Sequence, residues 1–234
     1  MKNMADALAE AAKQIAALQK QVRKLQARNT PSVYMGWTNI PVLPTYASAN
    51  LMTLAGVDLT AYFTIGVKCA WYQSGGWRYG YVSYSYYSGG DTNINLVINT
   101  SFVVANTDIS AFKISYENPP NFQYWLNWAP TATGFSVAPA GLHQFCVHGR
   151  ACHLVVRETS GTSNATNFIL TLPINAAQVT NIALSQCIDN GAVIAGVTLG
   201  EINGANIALY TSTGGGGWTN TGNKYARFIA TYPI

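Results

Sequence analysis

The sequence predicts a mainly β protein in three parts: an N-terminal α-helical coiled coil, a small β-domain and a C-terminal β-sandwich of jelly-roll type. Three observations carry this. A heptad seam runs through the first 28 residues, short alternating or apolar runs replace it from Pro31 onward, and clusters of Gly, Asn, Ser and Pro separate those runs. Composition agrees, since 234 residues with 14 Tyr, 21 Gly and only 9% charged side chains are the material of strands and polar turns. At 49% hydrophobic the chain is too apolar for disorder.

Residues 1–30 form the first element. Met1, Leu8, Ile15 and Val22 fall at a, and Met4, Ala11, Leu18 and Leu25 at d, with strong helix formers between them and neither Gly nor Pro. About 28 residues at 1.5 Å each make a rod of about 42 Å. An unbroken seam flanked by Gln14, Gln19, Gln21 and Gln26 points to self-association rather than packing on the chain's own body. Ile and Val at a with Leu at d lean to a dimer, but small Ala11 and uncharged flanks weaken that rule, so the heptads alone leave dimer and trimer open.

The second element, residues 31–130, has expected strands at 64–72, 77–86, 93–99 and 112–116. Ile65, Val67, Cys69 and Trp71 share one face of the first, which makes Cys69 a core residue. An irregular connector through Pro119, Pro120 and Pro130 places Trp125 and Trp128 between the units. The third element, residues 131–234, has expected strands at 142–148, 151–157, 167–172, 182–187, 193–199, 206–210 and 225–232, the density of a sandwich or jelly roll.

Charge excludes some functions. Residues 1–30 hold six basic and two acidic side chains, and the other 204 hold seven of each, so the body has no basic stripe for nucleic acid. No apolar run reaches a membrane span, and the N-terminal segment lacks the apolar core of a signal peptide.

All three His and two of the four Cys fall within residues 143–153. If Gly149-Arg150 is a two-residue turn, His148 faces Ala151, Val147 faces Cys152 and Cys146 faces His153. Cys146, His148 and His153 then share one face, a fourth metal ligand is missing, and Cys146 and Cys152 point apart. No metal, no cofactor and no disulfide are expected. The body's carboxylates, Asp58, Asp91, Asp108, Glu117, Glu158, Asp189 and Glu201, form no paired motif, and no nucleophile elbow appears, so no enzyme is expected.

Candidate binding residues are aromatic. Trp77, Tyr79, Tyr81 and Tyr87 alternate with Gly80, Val82, Tyr84 and Tyr86 in WRYGYVSYSYYSGG, so one face is expected in the core and the other exposed. In TSTGGGGWTNTG (211–222), Trp218 follows four Gly and is expected to stack on a ligand, with Asn220 and Asp189 as polar partners. A body rich in hydroxyls and amides but poor in charge suits neutral glycans.

The strings GTSNATNFILTLP (161–173), FCVHGRACHLVVRETS (145–160), CIDNGAVIAGVTLG (187–200) and GNKYARFIATYPI (222–234) resemble the C-terminal jelly-roll head of bacteriophage tail-fibre and minor tail proteins. WTNIPVLPTYAS (37–48), YFTIGVKCAWYQ (62–73) and FKISYENPPNFQYWLNWAPT (112–131) resemble the small β-domain that precedes it. The resemblance implies a homotrimeric receptor-binding protein in the virion, synthesised in the host cytoplasm. Leu8, Ala11, Ile15, Leu18, Val22 and Leu25 would build its stalk, and a host surface glycan and other tail proteins would be its partners. Such proteins usually carry a longer N-terminal region than this rod. A structural virion spacer and a cell-wall glycan hydrolase are the competing readings: an exposed aromatic and polar groove favours receptor binding, a dry apolar surface the spacer, and a close carboxylate pair the hydrolase.

Overall fold

A computed structural model describes residues 14, 33–34, 36–99, 101–119, 122, 124–158, 160–196 and 198–234. The heptad seam with Leu8, Ala11, Ile15, Leu18, Val22 and Leu25 lies outside the described residues; of residues 1–32 only Gln14, which is helical, is among them. From residue 33 onward the described chain is antiparallel β-structure with one 3-10 turn at Thr60–Tyr62. No helix among the described residues is long and apolar enough to cross a membrane.

The first eight strands form one sheet: β1 (Val33–Tyr34), β2 (Trp37–Asn39), β3 (Thr45–Ser48), β4 (Leu51–Leu54), β5 (Lys68–Gln73), β6 (Gly76–Ser88), β7 (Asp91–Ile98) and β8 (Ile109–Ser115). Their order is β1-β2-β8-β5-β6-β7-β4-β3. Strict alternation decides what they bury: Met52 and Leu54, Cys69 and Trp71, Ile94 and Leu96, Phe112 and Ile114 all point into one apolar cluster. Ile65 does not join its expected partners there. Gly66, at φ +83°, breaks the alternation, and Ile65 packs on the other core instead.

The second unit contains β9 (Leu126–Asn127), β10 (Ala132–Thr133), β11 (Phe135–Val137), β12 (Gly141–His148), β13 (Ala151–Glu158), β14 (Gly161–Ser163) and β15 (Ile169–Thr171). It continues with β16 (Thr180–Ala183), β17 (Gln186–Asp189), β18 (Ala192–Val193), β19 (Leu199–Asn203), β20 (Asn206–Tyr210) and β21 (Asn223–Pro233). One sheet runs β10-β15-β20-β19-β16 and the other β11-β14-β21-β13-β12-β9, with the β17-β18 hairpin also paired to β21. Phe145, Leu154 and Phe228 from the second sheet meet Leu170, Ile207 and Leu209 from the first in a common core. Strand membership changes between Ser115 and Leu126.

That core does not stop at the connector. Trp37, Ala70 and Tyr81 of the first sheet belong to it, joined through Phe122, whose ring lies 5.1 Å from Tyr81 and 6.0 Å from Trp37. Tyr81 also approaches Phe145 at 5.8 Å and donates its hydroxyl hydrogen to the Tyr124 carbonyl at 3.0 Å. Of the two indoles expected between the units, Trp128 is buried against His143 and Phe145 of the second unit and Trp125 is exposed, and Phe122 fills the junction instead.

Lys224 is the least expected core residue. Fully buried on β21, it donates from Nζ to the carbonyls of Gly134 at 3.1 Å, Asn167 at 2.7 Å and Ala165, and lies 5.3 Å from the Phe135 ring centroid. Gly134 lies between β10 and β11, and Ala165 and Asn167 both lie in the loop from β14 to β15, so one ammonium ties two connections together. Burial pulls its pKa below the ordinary lysine value, opposed by Asp189.

All four cysteines are free and buried. Burial pushes the Cys152 thiol up to about 12, and those of Cys69, Cys146 and Cys187 upward too, with Lys68 opposing the shift at Cys146. An Ellman assay should therefore find no fast-reacting thiol in the native protein and four after denaturation. Rapid labelling of any one in the native state would contradict this burial.

Candidate functional site

The hairpin of β12 and β13 takes the register its turn chemistry predicts: His148 opposite Ala151, Val147 opposite Cys152, Cys146 opposite His153, with Gly149 at φ +58°. Phe145, Val147, Cys152 and Leu154 face the core. His143 stands apart, whereas the rings of His148 and His153 meet edge to face 5.5 Å apart, as their shared face predicts. His143 meets the buried Glu158 at 2.7 Å and sets its ring edge against Trp128; His148 stacks parallel to Tyr124; His153 Nδ1 lies 2.9 Å from Thr231 Oγ1. Burial and neighbouring His148 lower the pKa of His153. Among the described residues no three His, Cys, Asp or Glu side chains gather to hold a metal ion.

Several carboxylates hold local structure. Asp58 accepts from Thr60 N and Oγ1, Asp91 from Gly56 N, and Asp189 from Thr219 N and Oγ1 at 2.9 and 2.7 Å. Asp189 is therefore at the same end as the glycine-rich loop and the exposed Asn220, as expected, but it serves to tie that loop.

Trp218 requires a correction. It is 2% exposed, donates from Nε1 to the Leu209 carbonyl at 2.6 Å, and packs against Phe168 at 5.2 Å between centroids. The four glycines do not make a loose loop: Thr211 N bonds Gly216 O, Gly216 N bonds Ser212 Oγ, and Thr211 Oγ1 bonds Gly217 O. Gly215 at φ +78° permits this closed turn, which then drives the indole inward. No indole face is left for a ligand.

The aromatic strand β6 also departs from simple alternation. A bulge at Ser83 sets Val82 opposite Leu96 but Tyr84 opposite Asn95, inserting one residue. Trp77, Tyr79 and Tyr81 before the bulge and Tyr84 and Tyr86 after it therefore share one face, the face opposite the first core. The expected grouping of Tyr87 with Trp77, and of Tyr84 and Tyr86 with Val82, is overturned by that single inserted residue.

The second unit covers only part of this face. Tyr81 is fully buried and Tyr79 half-buried against Phe102 and Phe122, so neither is a ligand platform. Trp77 is exposed but already occupied, with Lys113 Nζ 4.5 Å above its ring and Tyr72 at its edge. Tyr84 and Tyr86 remain, 53% and 43% exposed, stacked 6.1 Å apart at 22°.

Beside them, Asn93 and Asn95 project from β7. Thr53 Oγ1 donates to Asn93 Oδ1 at 2.9 Å and Ser83 Oγ to Asn95 Oδ1 at 2.8 Å, which leaves each amide NH2 to donate to a ligand. Tyr84 and Asn95 form the lip of a groove of about 620 Å³ between the units, continued by Asn50, Ile65 and Val97 on one wall and Pro173 and Asn175 on the other. Apart from the Tyr84 phenol its lining carries no ionisable group. The sequence held a signal for this site in the period-two Asn93 and Asn95 opposite an aromatic strand; the bulge hid which tyrosines they accompany.

Comparison of the chain with protein-family models, with curated proteins and with solved structures finds no match.

Proposed function

We propose that this protein is a phage tail-fibre receptor-binding protein, trimeric through residues 1–28, whose two-sheet second unit is a jelly-roll head and which recognises a neutral host glycan. The groove between the two β-units carries the reading. A pyranose ring offers an apolar C–H face and a rim of hydroxyls; Tyr84 in the groove and Tyr86 stacked beside it suit the first, and the amides of Asn95 in the groove and Asn93 next to it on β7 suit the second. The uncharged lining favours a neutral sugar, and the position between two rigid sheets is a common one for small-molecule sites. Exposed aromatic and polar surface of this kind favours receptor binding over a spacer.

The test is a glycan array probed with the full chain, followed by Tyr84→Ala and Asn95→Ala. Tyr84→Ala should lower affinity for the best neutral glycan about tenfold, equivalent to ~1.4 kcal/mol, while the thermal midpoint moves by no more than about 2 °C. Undiminished binding in both variants, or no binding to any neutral glycan, would sink the reading.

A further inference from the structure

The outer face of the second unit's larger sheet presents an ordered array. One row across four strands reads Leu142, Arg157, Arg227, Gln186, and the next reads Gln144, Val155, Ile229. Arg157 and Arg227 are directly opposed and both exposed. Like charges in that register repel, and among the described residues the one ion pair lies elsewhere, between His143 and Glu158. Ile229, at the end of the second row and on the strand that carries Arg227, is 74% exposed. A groove of about 820 Å³ collects these side chains with Ser185, whose hydroxyl holds the Arg227 carbonyl at 2.7 Å.

We propose that this groove is a second binding site, for an acidic saccharide whose carboxylate or phosphate bridges Arg157 and Arg227. Two neighbouring guanidinium forks match an oxyanion in plane and charge, and its arrival would turn their mutual repulsion into attraction. Ile229, Val155 and Leu142 supply an apolar floor for the ring, and Gln186 supplies an amide for hydroxyls. The groove lies over paired strands, so an acidic peptide would find no open backbone ladder to join. The inference extends glycan recognition to a different sheet and does not depend on the tyrosine groove.

The test measures binding of a short oligogalacturonate to the full chain, with its methyl ester and an oligoglutamate as controls. Acid-form binding should fall at least tenfold in Arg227→Gln and in Arg157→Gln, should weaken with added salt, and should be unchanged in Tyr84→Ala. Arg227→Lys should restore it only in part, because a point charge lacks the fork. Both glutamine variants should fold, since each removes one partner of a repulsive pair, and their thermal midpoints check this. No binding at millimolar probe, equal binding of the methyl ester or the oligoglutamate, or unchanged affinity in both glutamine variants overturns the proposal. Light scattering that shows the face buried between copies, with Ile229→Asp dissociating them, overturns it as well.

Discussion

Lys224→Met should lower the thermal midpoint by about 6–12 °C, the largest effect expected of any single polar substitution in the second unit. Methionine keeps the length and fills the space, so packing is nearly conserved. What disappears is the donor shared by the buried Gly134 carbonyl and the part-buried carbonyls of Ala165 and Asn167. A buried acceptor left without a donor costs about 1–3 kcal/mol and the two part-buried ones add to it, for a total of about 3 kcal/mol, and a chain of this size loses about 2–4 °C per kcal/mol. Because Lys224 ties the β10–β11 connection to the loop between β14 and β15, amides in both should also exchange faster in the variant. A shift below about 2 °C, with unchanged exchange at residues 134, 165 and 167, would mean that water replaces the ammonium.

Trp218→Ala should be comparably damaging, and its readout separates packing from recognition. Removing a buried indole costs about 3–5 kcal/mol through lost transfer energy and the cavity left behind, and here the Leu209 carbonyl also loses its donor. The midpoint should fall by about 10 °C or more, while the fraction that stays folded binds neutral glycan with the parent affinity. A stable variant that has lost binding would restore Trp218 to a ligand site.

What the sequence made legible depended on range. The hairpin around Gly149 was readable to the residue because a two-residue turn fixes register and apolar alternation then fixes the faces. Strand 206–210 was readable from the polar turns around it, but the strand expected at 193–199 lies instead at Leu199–Asn203, where it pairs with 206–210. The bulge at Ser83 was not, since an inserted residue leaves composition and alternation looking normal; only the partner strand reveals it, and it exchanged the buried and exposed tyrosines. Trp218 misled because four glycines in a row signify freedom in an unfolded chain, yet the same glycines allow the tight backbone turn that buries the indole. Lys224 drew no reading from the sequence because a lone lysine looks like any solvated one, and its three acceptors come from residues 57 to 90 positions away. The junction groove was least legible, being assembled from β6, β7 and the segment around Pro173, with no motif that joins them in sequence.

Strand β21 pairs along its length with β13, β14 and β17, yet it follows all three in the chain. During synthesis β13, β14 and β17 can pair with β12, β11 and β18, but one edge of each waits unpaired until residues 223–233 have emerged, and Lys224 arrives with them. Assembly of this sheet is thus a matter of timing: its earlier strands present open edges to any neighbouring nascent copy, and the late strand both seals those edges and locks the loops that Lys224 holds.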